Sequence, residues 1–300
     1  MNRNEFLKTT IGALGIAALG FPIVVSAAVK KKKLFVGAHV WIYAKNQSGY
    51  DVSNILPQIF SDMKYAGLDG VETMEHPLRN EATTKIIAEL IEQNKLPLLG
   101  TSYGADMWDK TKHNEILDDV ENIMGNMAKV KARTFGTSVG HPSGRIKTED
   151  ELDAQVELLK KLIVIGEKNG VVLNLHNHTY EVENNLFDVK GTLKRIPDIK
   201  LGPDLNWLLR AKVDPISFLN EYKNNIVFMR LRDQLNNGKW PESHGEGDVN
   251  FKEIGNFITE IDFAGDLVIE LAHEDGFVPT RPIKESLKMS RESMQKFMGY

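Results

Sequence analysis

Near its middle the chain reads Leu173-Asn174-Leu175-His176-Asn177-His178, and Glu181 follows three residues later. In an extended segment successive side chains face opposite ways, so Asn174, His176 and His178 share one face and the two leucines the other. Imidazole and carboxylate groups brought to one face are the side chains that move protons near neutral pH or ligate a divalent ion. The same alternation recurs elsewhere: Glu270 stands between Ile269 and Leu271, and Arg230 between Met229 and Leu231. His39, Glu72, His76, His141, Asp204 and His273 also lie at or just after the ends of short apolar runs. Of the eight histidines only His113 and His244 escape this pattern, and His244 itself follows one such run. Any one of these residues alone is as readily a hydrogen-bonded polar group at a sheet end; their common placement is what points to a site. A His-rich strand end with an Asp and a Glu suits a hard or borderline ion such as Mn²⁺, Mg²⁺ or Zn²⁺.

Composition narrows the chemistry. Cysteine is absent from the 300 residues, which excludes disulfides, thiolate metal sites, iron–sulfur clusters and a cysteine nucleophile. Lys and Arg total 37 against 41 Asp and Glu, a formal net charge of −4, whereas a nucleic-acid binder usually carries a basic excess. With 42% hydrophobic and 26% charged residues, the chain is neither globally disordered nor fibrous. Its length is enough for one large core.

The elements that position these residues follow from periodicity. Short apolar β-rich runs at 34–39, 70–73, 97–102, 132–137, 171–176, 199–204, 226–231 and 267–271 predict strands. Between them, apolar spacings of three and four predict helices at about 53–66, 79–94, 113–129, 186–195, 214–223, 250–261 and 283–298. Val156, Leu159, Leu162 and Ile163 give a further helix, with a capping box at Thr148-Glu149-Asp150-Glu151. Eight strand–helix pairs in about 265 residues predict an α/β fold, a single (β/α)₈ barrel over residues 34–300, with catalytic residues at the C-terminal ends of the strands. The alternative, an open doubly wound sheet, lacks a G-x-G-x-x-G or G-x-x-x-x-G-K-[ST] motif for nucleotides.

Ahead of the barrel, the chain opens Met1-Asn2-Arg3-Asn4-Glu5-Phe6-Leu7-Lys8, carries no charge from Thr9 to Ala28, and then meets Lys30-Lys31-Lys32-Lys33. This layout predicts an export signal over residues 1–27, cut after Ala27, and hence a periplasmic or secreted protein free of the membrane once the signal is removed. An uncleaved anchor is the alternative, since an apolar run of about 20 residues can span a bilayer. Gly12, Gly15, Gly20 and Pro22 make it a poor long helix. Residues 2–8 resemble the twin-arginine export motif, with Asn4 where the second arginine usually stands.

Several segments together resemble the xylose isomerase-like TIM-barrel superfamily, which includes sugar isomerases and epimerases, inosose dehydratases and DNA-repair enzymes of the endonuclease IV type. They are Gly67-Leu68-Asp69-Gly70-Val71-Glu72, Leu175-His176-Asn177-His178-Thr179-Tyr180-Glu181, Gly202-Pro203-Asp204-Leu205-Asn206-Trp207, Gly245-Glu246-Gly247-Asp248-Val249-Asn250-Phe251 and Val268-Ile269-Glu270. The resemblance spans residues 34–300, and the His-Asn-His-x-x-Glu segment is typical of a sugar-acting branch. It implies a divalent metal held by a carboxylate or His on the fifth strand, an Asp on the sixth, a His on the seventh and a Glu on the eighth. Carried across, the metal set is His178, Glu181, Asp204 and Glu270. The seventh strand departs from the pattern: Arg230-Leu231-Arg232-Asp233 stands where relatives commonly read His-Leu-Lys-Asp. An arginine offers only donors and cannot ligate a metal, so Arg230 is either a fixed cation for a substrate oxyanion or a sign of weak or altered metal binding.

The expected function is that of an exported carbohydrate-active enzyme: a metal-dependent sugar isomerase or epimerase, or a keto-sugar lyase, removing a proton next to a carbonyl. Glu270, His176 and Glu181 are its candidate acid–base groups, and Arg230, Trp207, His39 and His273 its candidate substrate contacts. Trp41, Tyr103 and Trp108 could stack on sugar faces; Arg145, Lys190 and Arg281 could hold hydroxyls, though solvated surface suits them better. The expected partner is a small sugar or glycoside and not a nucleic acid; a homo-oligomer is compatible with the sequence. The rival from another class is a non-catalytic carbohydrate-binding or accessory subunit on the same barrel. An endonuclease IV-like phosphodiesterase is remote, because acidic balance and export both oppose binding to DNA.

Overall fold

The computed structural model describes residues 34–300, so the expected signal over 1–27 lies outside the described residues. Eight parallel strands run β1 Val36–His39, β2 Val71–Met74, β3 Leu98–Gly104, β4 Thr134–Ser138, β5 Val172–Leu175, β6 Lys200–Leu201, β7 Phe228–Leu231 and β8 Asp266–Ile269. They pair in the order β6-β5-β4-β3-β2-β1-β8-β7. Bridges from Leu201 to Ile226 and from Asp204 to Arg230 join β6 to β7 and complete the (β/α)₈ ring. Around it lie α1 Trp41–Ala44, α2 Leu56–Tyr65, α3 Glu81–Asn94, α4 His113–Lys129, α5 Glu149–Asn169, α6 Thr179–Arg195, α7 Leu205–Arg210, α8 Pro215–Tyr222, α9 Phe251–Glu260 and α10 Ile283–Met298. No described helix is long and apolar enough to cross a membrane.

Local chemistry explains the boundaries. Helix α5 opens on the expected capping box, with Thr148 and Glu151 each accepting the other's backbone N–H, and closes on Gly170 at φ +68°. Its buried Leu152, Val156, Leu159 and Leu162 recur at the spacing that puts them on one face. Strand β6 is shorter than the expected 199–204, because Pro203 has no N–H to donate and Asp204 turns away to cap the unanticipated α7. The Asp204 carboxylate accepts the N–H groups of Asn206 and Trp207. Helix α6 begins seven residues earlier than the periodicity predicts, because Glu183 to Leu186 interrupt it with non-helical torsions, three of them at positive φ.

Inside the barrel, Leu99, Phe228 and Val268 form an apolar plug. Gly37 and Gly70 make room for Leu99: a Cβ at either would lie within 2.5 Å of that side chain. Above the plug, the two-residue period steps from Phe228 to Arg230 and Arg232, from Val268 to Glu270, and from Gly37 to His39. The polar layer therefore begins where the apolar one stops, at the C-terminal ends of the strands.

Candidate active site

The C-terminal mouth of the barrel holds a cavity of about 410 Å³, within the range of small-molecule sites. Its floor is ionic. Arg230 donates from Nη2 to Glu72 Oε1 (2.7 Å), pairs through Nε with Glu270 Oε2 (3.1 Å), and places Nη1 3.1 Å from His176 Nε2. Arg232 pairs with Glu270 Oε1 and lies 3.5 Å from Asp204 Oδ2. Burial pushes Glu72 up to about 7 and Asp204 to about 6, against the pull of Arg230 and Arg232 respectively. For Glu270 burial works the same way, but the two guanidiniums outweigh it and hold its pKa at about 2. Glu270 is thus the fixed anion of the floor, and Glu72 and Asp204 are the carboxyls able to carry a proton near neutrality.

Three histidines of the mouth, His39, His176 and His178, are neutral. Burial, reinforced by Arg230, lowers His39 to about 3 and His176 well below its usual value. The Trp41 N–H reaches His39 Nδ1 at 3.1 Å, so the ring proton is on Nε2 and points to Ser102 Oγ at 2.9 Å. His178 is lowered by burial to about 4.

Aromatic rings wall the cavity on two sides. Trp41 packs on Tyr50 with centroids 5.2 Å apart, and Trp207 meets Trp240 edge-on at 6.2 Å. The Arg232 guanidinium lies 5.1 Å from the Trp207 centroid and 5.0 Å from that of Trp240, and Arg210 stacks on Trp240 at 4.1 Å. Trp240 comes from the loop after β7, which is gathered onto one side chain: the Asp233 carboxylate accepts the N–H groups of Gly245, Gly247 and Val249. At Gly247 a Cβ would fall 2.3 Å from Asp233 Oδ1, so the second glycine of the Gly-Glu-Gly-Asp segment is what permits that approach.

Of the sequence-derived site residues, His39, His176, His178, Trp207, Arg230, Glu270 and His273 line the cavity, as do Trp41, Tyr103 and His76. Asp204 lies beneath them at 0% exposure. Glu181 stands apart. Its Oε1 accepts from Ser138 Oγ (2.6 Å) and Val139 N (2.8 Å), and its Oε2 from His178 N (2.5 Å), behind the wall and facing away from the cavity. Trp108 is not in the mouth, and Arg145, Lys190 and Arg281 are occupied by Glu151, Asn185 and Glu246. His141 stacks on Tyr180 at 4.1 Å, and His113 is buried, donating to the Met107 carbonyl at 2.9 Å. Sequence reasoning missed Arg232, Lys45, Tyr50, Ser102 and Trp240 as lining residues. Arg232 was within reach of the alternation that selected Arg230; Trp240 had no strand to mark it.

The expected metal set does not fit this geometry. Among the described residues no three His, Asp or Glu side chains converge as ligands would. The lone pairs of Glu270 and His176 are already directed at Arg230 and Arg232. A divalent ion there would confront two permanent cations in a buried site, and Glu181, the fourth expected ligand, points elsewhere.

His244, one of the two histidines the strand-end pattern left out, is buried and stacked on Phe251 at 5.2 Å and 10°. Burial lowers its pKa from 6.5 to about 4. The folded state therefore binds fewer protons than the unfolded chain between these values, and stability falls as pH drops through that window. In His244→Leu the unfolding free energy is expected to lose about 3 kcal/mol less than in the wild type between pH 7 and pH 4. Urea titrations across this range check it, and equal losses in both proteins count against the assignment.

A family model described as xylose isomerase-like TIM barrel matches residues 60–293. No curated protein matches the chain in sequence. Among solved structures, a sugar phosphate isomerase/epimerase from Parabacteroides distasonis superposes with a TM-score of 0.69 at 16% identity, over 93% of this chain and 100% of that one. The 3-keto-D-glucoside 4-epimerase of E. coli gives 0.67 at 15%, over 89% and 100%. A D-psicose 3-epimerase from Clostridium cellulolyticum gives 0.70 at 12%, over 88% and 99%. With an eight-stranded parallel ring, a polar layer at its C-terminal end and a family model matched across most of its length, the chain belongs to the xylose isomerase-like TIM-barrel family.

Proposed function

We propose that this protein is an exported sugar isomerase or epimerase, or a lyase of the same chemistry, acting on a keto-sugar or glycoside by proton transfer next to a carbonyl. The observation that carries this reading is the pair of buried guanidiniums, Arg230 and Arg232, flanking one carboxylate at the floor of a tryptophan-walled cavity. Removal of a proton beside a carbonyl leaves an enediolate, and its oxyanion needs a preorganised positive partner. Arg232 supplies one: its guanidinium is clamped between two indoles, and its Nη1 makes no hydrogen bond among the described residues. The indoles present apolar faces to the C–H groups of a sugar. Glu270, ionised far below neutrality, is a poor proton acceptor, and its part is to hold the two arginines in register. The neighbours that superpose on the chain are named for sugar isomerisation and epimerisation, which supports the substrate class. The amino-terminal sequence supports export to the periplasm or beyond.

With arginines in place of a Lewis acid, activity is expected to be independent of added metal. Incubated in D₂O with a panel of keto-sugars and glycosides, the purified protein should catalyse deuterium uptake at a carbon beside the carbonyl, followed by NMR. Exhaustive EDTA treatment should leave that rate unchanged. Activity lost to EDTA and restored by Mn²⁺ overturns the two-arginine site; tight sugar binding with no exchange at any carbon favours a binding protein without turnover.

A further inference from the structure

The groups packed behind the cavity wall single out one ring. Glu181 is buried, and its two oxygens take the backbone N–H groups of Val139 and His178 and the hydroxyl of Ser138. Ser138 Oγ in turn lies 3.2 Å from His178 Nδ1 and 2.8 Å from the Tyr180 hydroxyl, which is itself 3.1 Å from Nδ1. The His178 ring is set between Tyr180 (5.4 Å, 23°) and Trp207 (5.6 Å, 53°), with the His176 ring edge-on at 5.0 Å. Nδ1 is thus committed to the wall. Nε2 makes no hydrogen bond among the described residues, and the ring lines the cavity.

We propose that His178 is the catalytic acid–base residue of the cavity and that Ser138 and Glu181 are positioning residues forming a proton relay behind it. The proposal rests on the proton-transfer reading above. Burial pushes Glu181 up to about 8, so the relay is set for base catalysis as pH rises through that value. The ionised carboxylate can only accept, the Ser138 proton points to Glu181 Oε1, and with the Tyr180 hydroxyl donating to Ser138 Oγ the His178 proton is on Nδ1, pointing to the same oxygen. Nε2 then presents a lone pair to the substrate. As the substrate C–H bond breaks, its proton moves to Nε2 and its electron pair forms the C=C bond, sending the carbonyl π pair to the oxygen beside Arg232. The Nδ1 proton passes to Ser138 Oγ, and the Ser138 proton passes to Glu181 Oε1. The ring ends neutral, protonated on Nε2 and ready to return that proton to carbon or oxygen, while one negative charge has moved from Glu181 to the enediolate. No buried imidazolium is formed, which matters for a ring within the field of Arg230 and Arg232.

The test joins a kinetic and a substrate-independent measurement on the full protein. His178→Gln is expected to lower the exchange rate by roughly 10²–10⁴-fold, the usual range for a lost acid–base group, and Ser138→Ala by roughly 10–10²-fold in kcat with KM within about twofold. Ser138→Thr, which keeps the hydroxyl, should recover most of the rate. ¹⁵N NMR of the histidine rings should show the His178 tautomer changing between wild type and Ser138→Ala. An unchanged tautomer overturns the relay, and wild-type exchange by His178→Gln overturns the catalytic assignment. If the tautomer responds to Ser138→Ala but the wild type exchanges no proton on any sugar of the panel, the relay stands and the sugar reading falls.

Discussion

Replacing Arg230 by methionine is expected to cost about 3–5 kcal/mol of stability at pH 7, the range seen when one member of a buried ion pair is removed. It should also abolish exchange. The reason lies in what Arg230 leaves behind. Glu72 is 1% exposed and loses its bonded partner, Glu270 loses one of two cations, and His176 Nε2 loses its neighbour. Lysine is no substitute, since a single ammonium cannot reach three partners in the plane of a guanidinium. The pH dependence makes the prediction specific. Burial already lifts Glu72 to about 7 in the presence of Arg230, so without the arginine it is neutral over a wider range. The penalty should therefore shrink as pH falls from 7 to 5, where an uncharged Glu72 needs no counter-ion. Glu72→Gln combined with Arg230→Met should recover much of the stability and none of the activity. Urea unfolding of the single and double variants at both pH values measures this; a penalty that is the same at pH 5 and pH 7 contradicts the assigned pairing.

The contrast between Arg230 and Trp240 shows what could be read before the fold was known. Arg230 lies in a strand, where a two-residue period assigns each side chain to a face, so its inward direction followed from Met229 and Leu231 alone. The same rule reaches Arg232 and places Phe228 below both. The apolar runs gave all eight strands within a few residues, because a strand buried on both faces must be continuously apolar. Trp240 belongs to a loop whose path is set by four backbone groups folding onto Asp233. No periodicity encodes such a path, although the two glycines of the Gly-Glu-Gly-Asp segment mark where it must pass. Glu181 fails for a different reason. Spacing from His178 fixed its distance along the chain, but at the start of a helix a side chain can face the cavity or fold back on the backbone. Its choice depends on Ser138 and Val139, which come from a different strand end. The metal expectation went the same way: the carboxylates were legible one by one, and what occupies the space between them required the ring to be closed.

The interrupted helix α6 makes a second large effect traceable to a single residue. Its first turn carries Glu181, and past the break at Glu183 to Leu186 the helix resumes with Asp188, which is bound by Lys147 in a pair whose side chains are 2% and 9% exposed. Gln155 of α5 joins them, accepting from Lys147 Nζ at 2.6 Å and donating to Asp188 Oδ1 at 2.9 Å and Thr192 Oγ1 at 2.9 Å. Lys147 belongs to the loop after β4, the strand that ends in Ser138, so this buried cluster ties that loop to both neighbouring helices. Lys147→Met should cost about 3–5 kcal/mol by leaving Asp188 buried without its cation. Lys147→Met with Asp188→Leu should regain most of it, because a buried ion pair replaced by apolar groups of similar size is often neutral. The two variants should part in function as well. If the pair serves only to anchor α6, the double variant keeps the tautomer of His178 and the wild-type exchange rate, and thermal unfolding together with ring ¹⁵N NMR would register both. A stable double variant with a disordered His178 ring would instead mean that the charge pair itself sets the position of the relay.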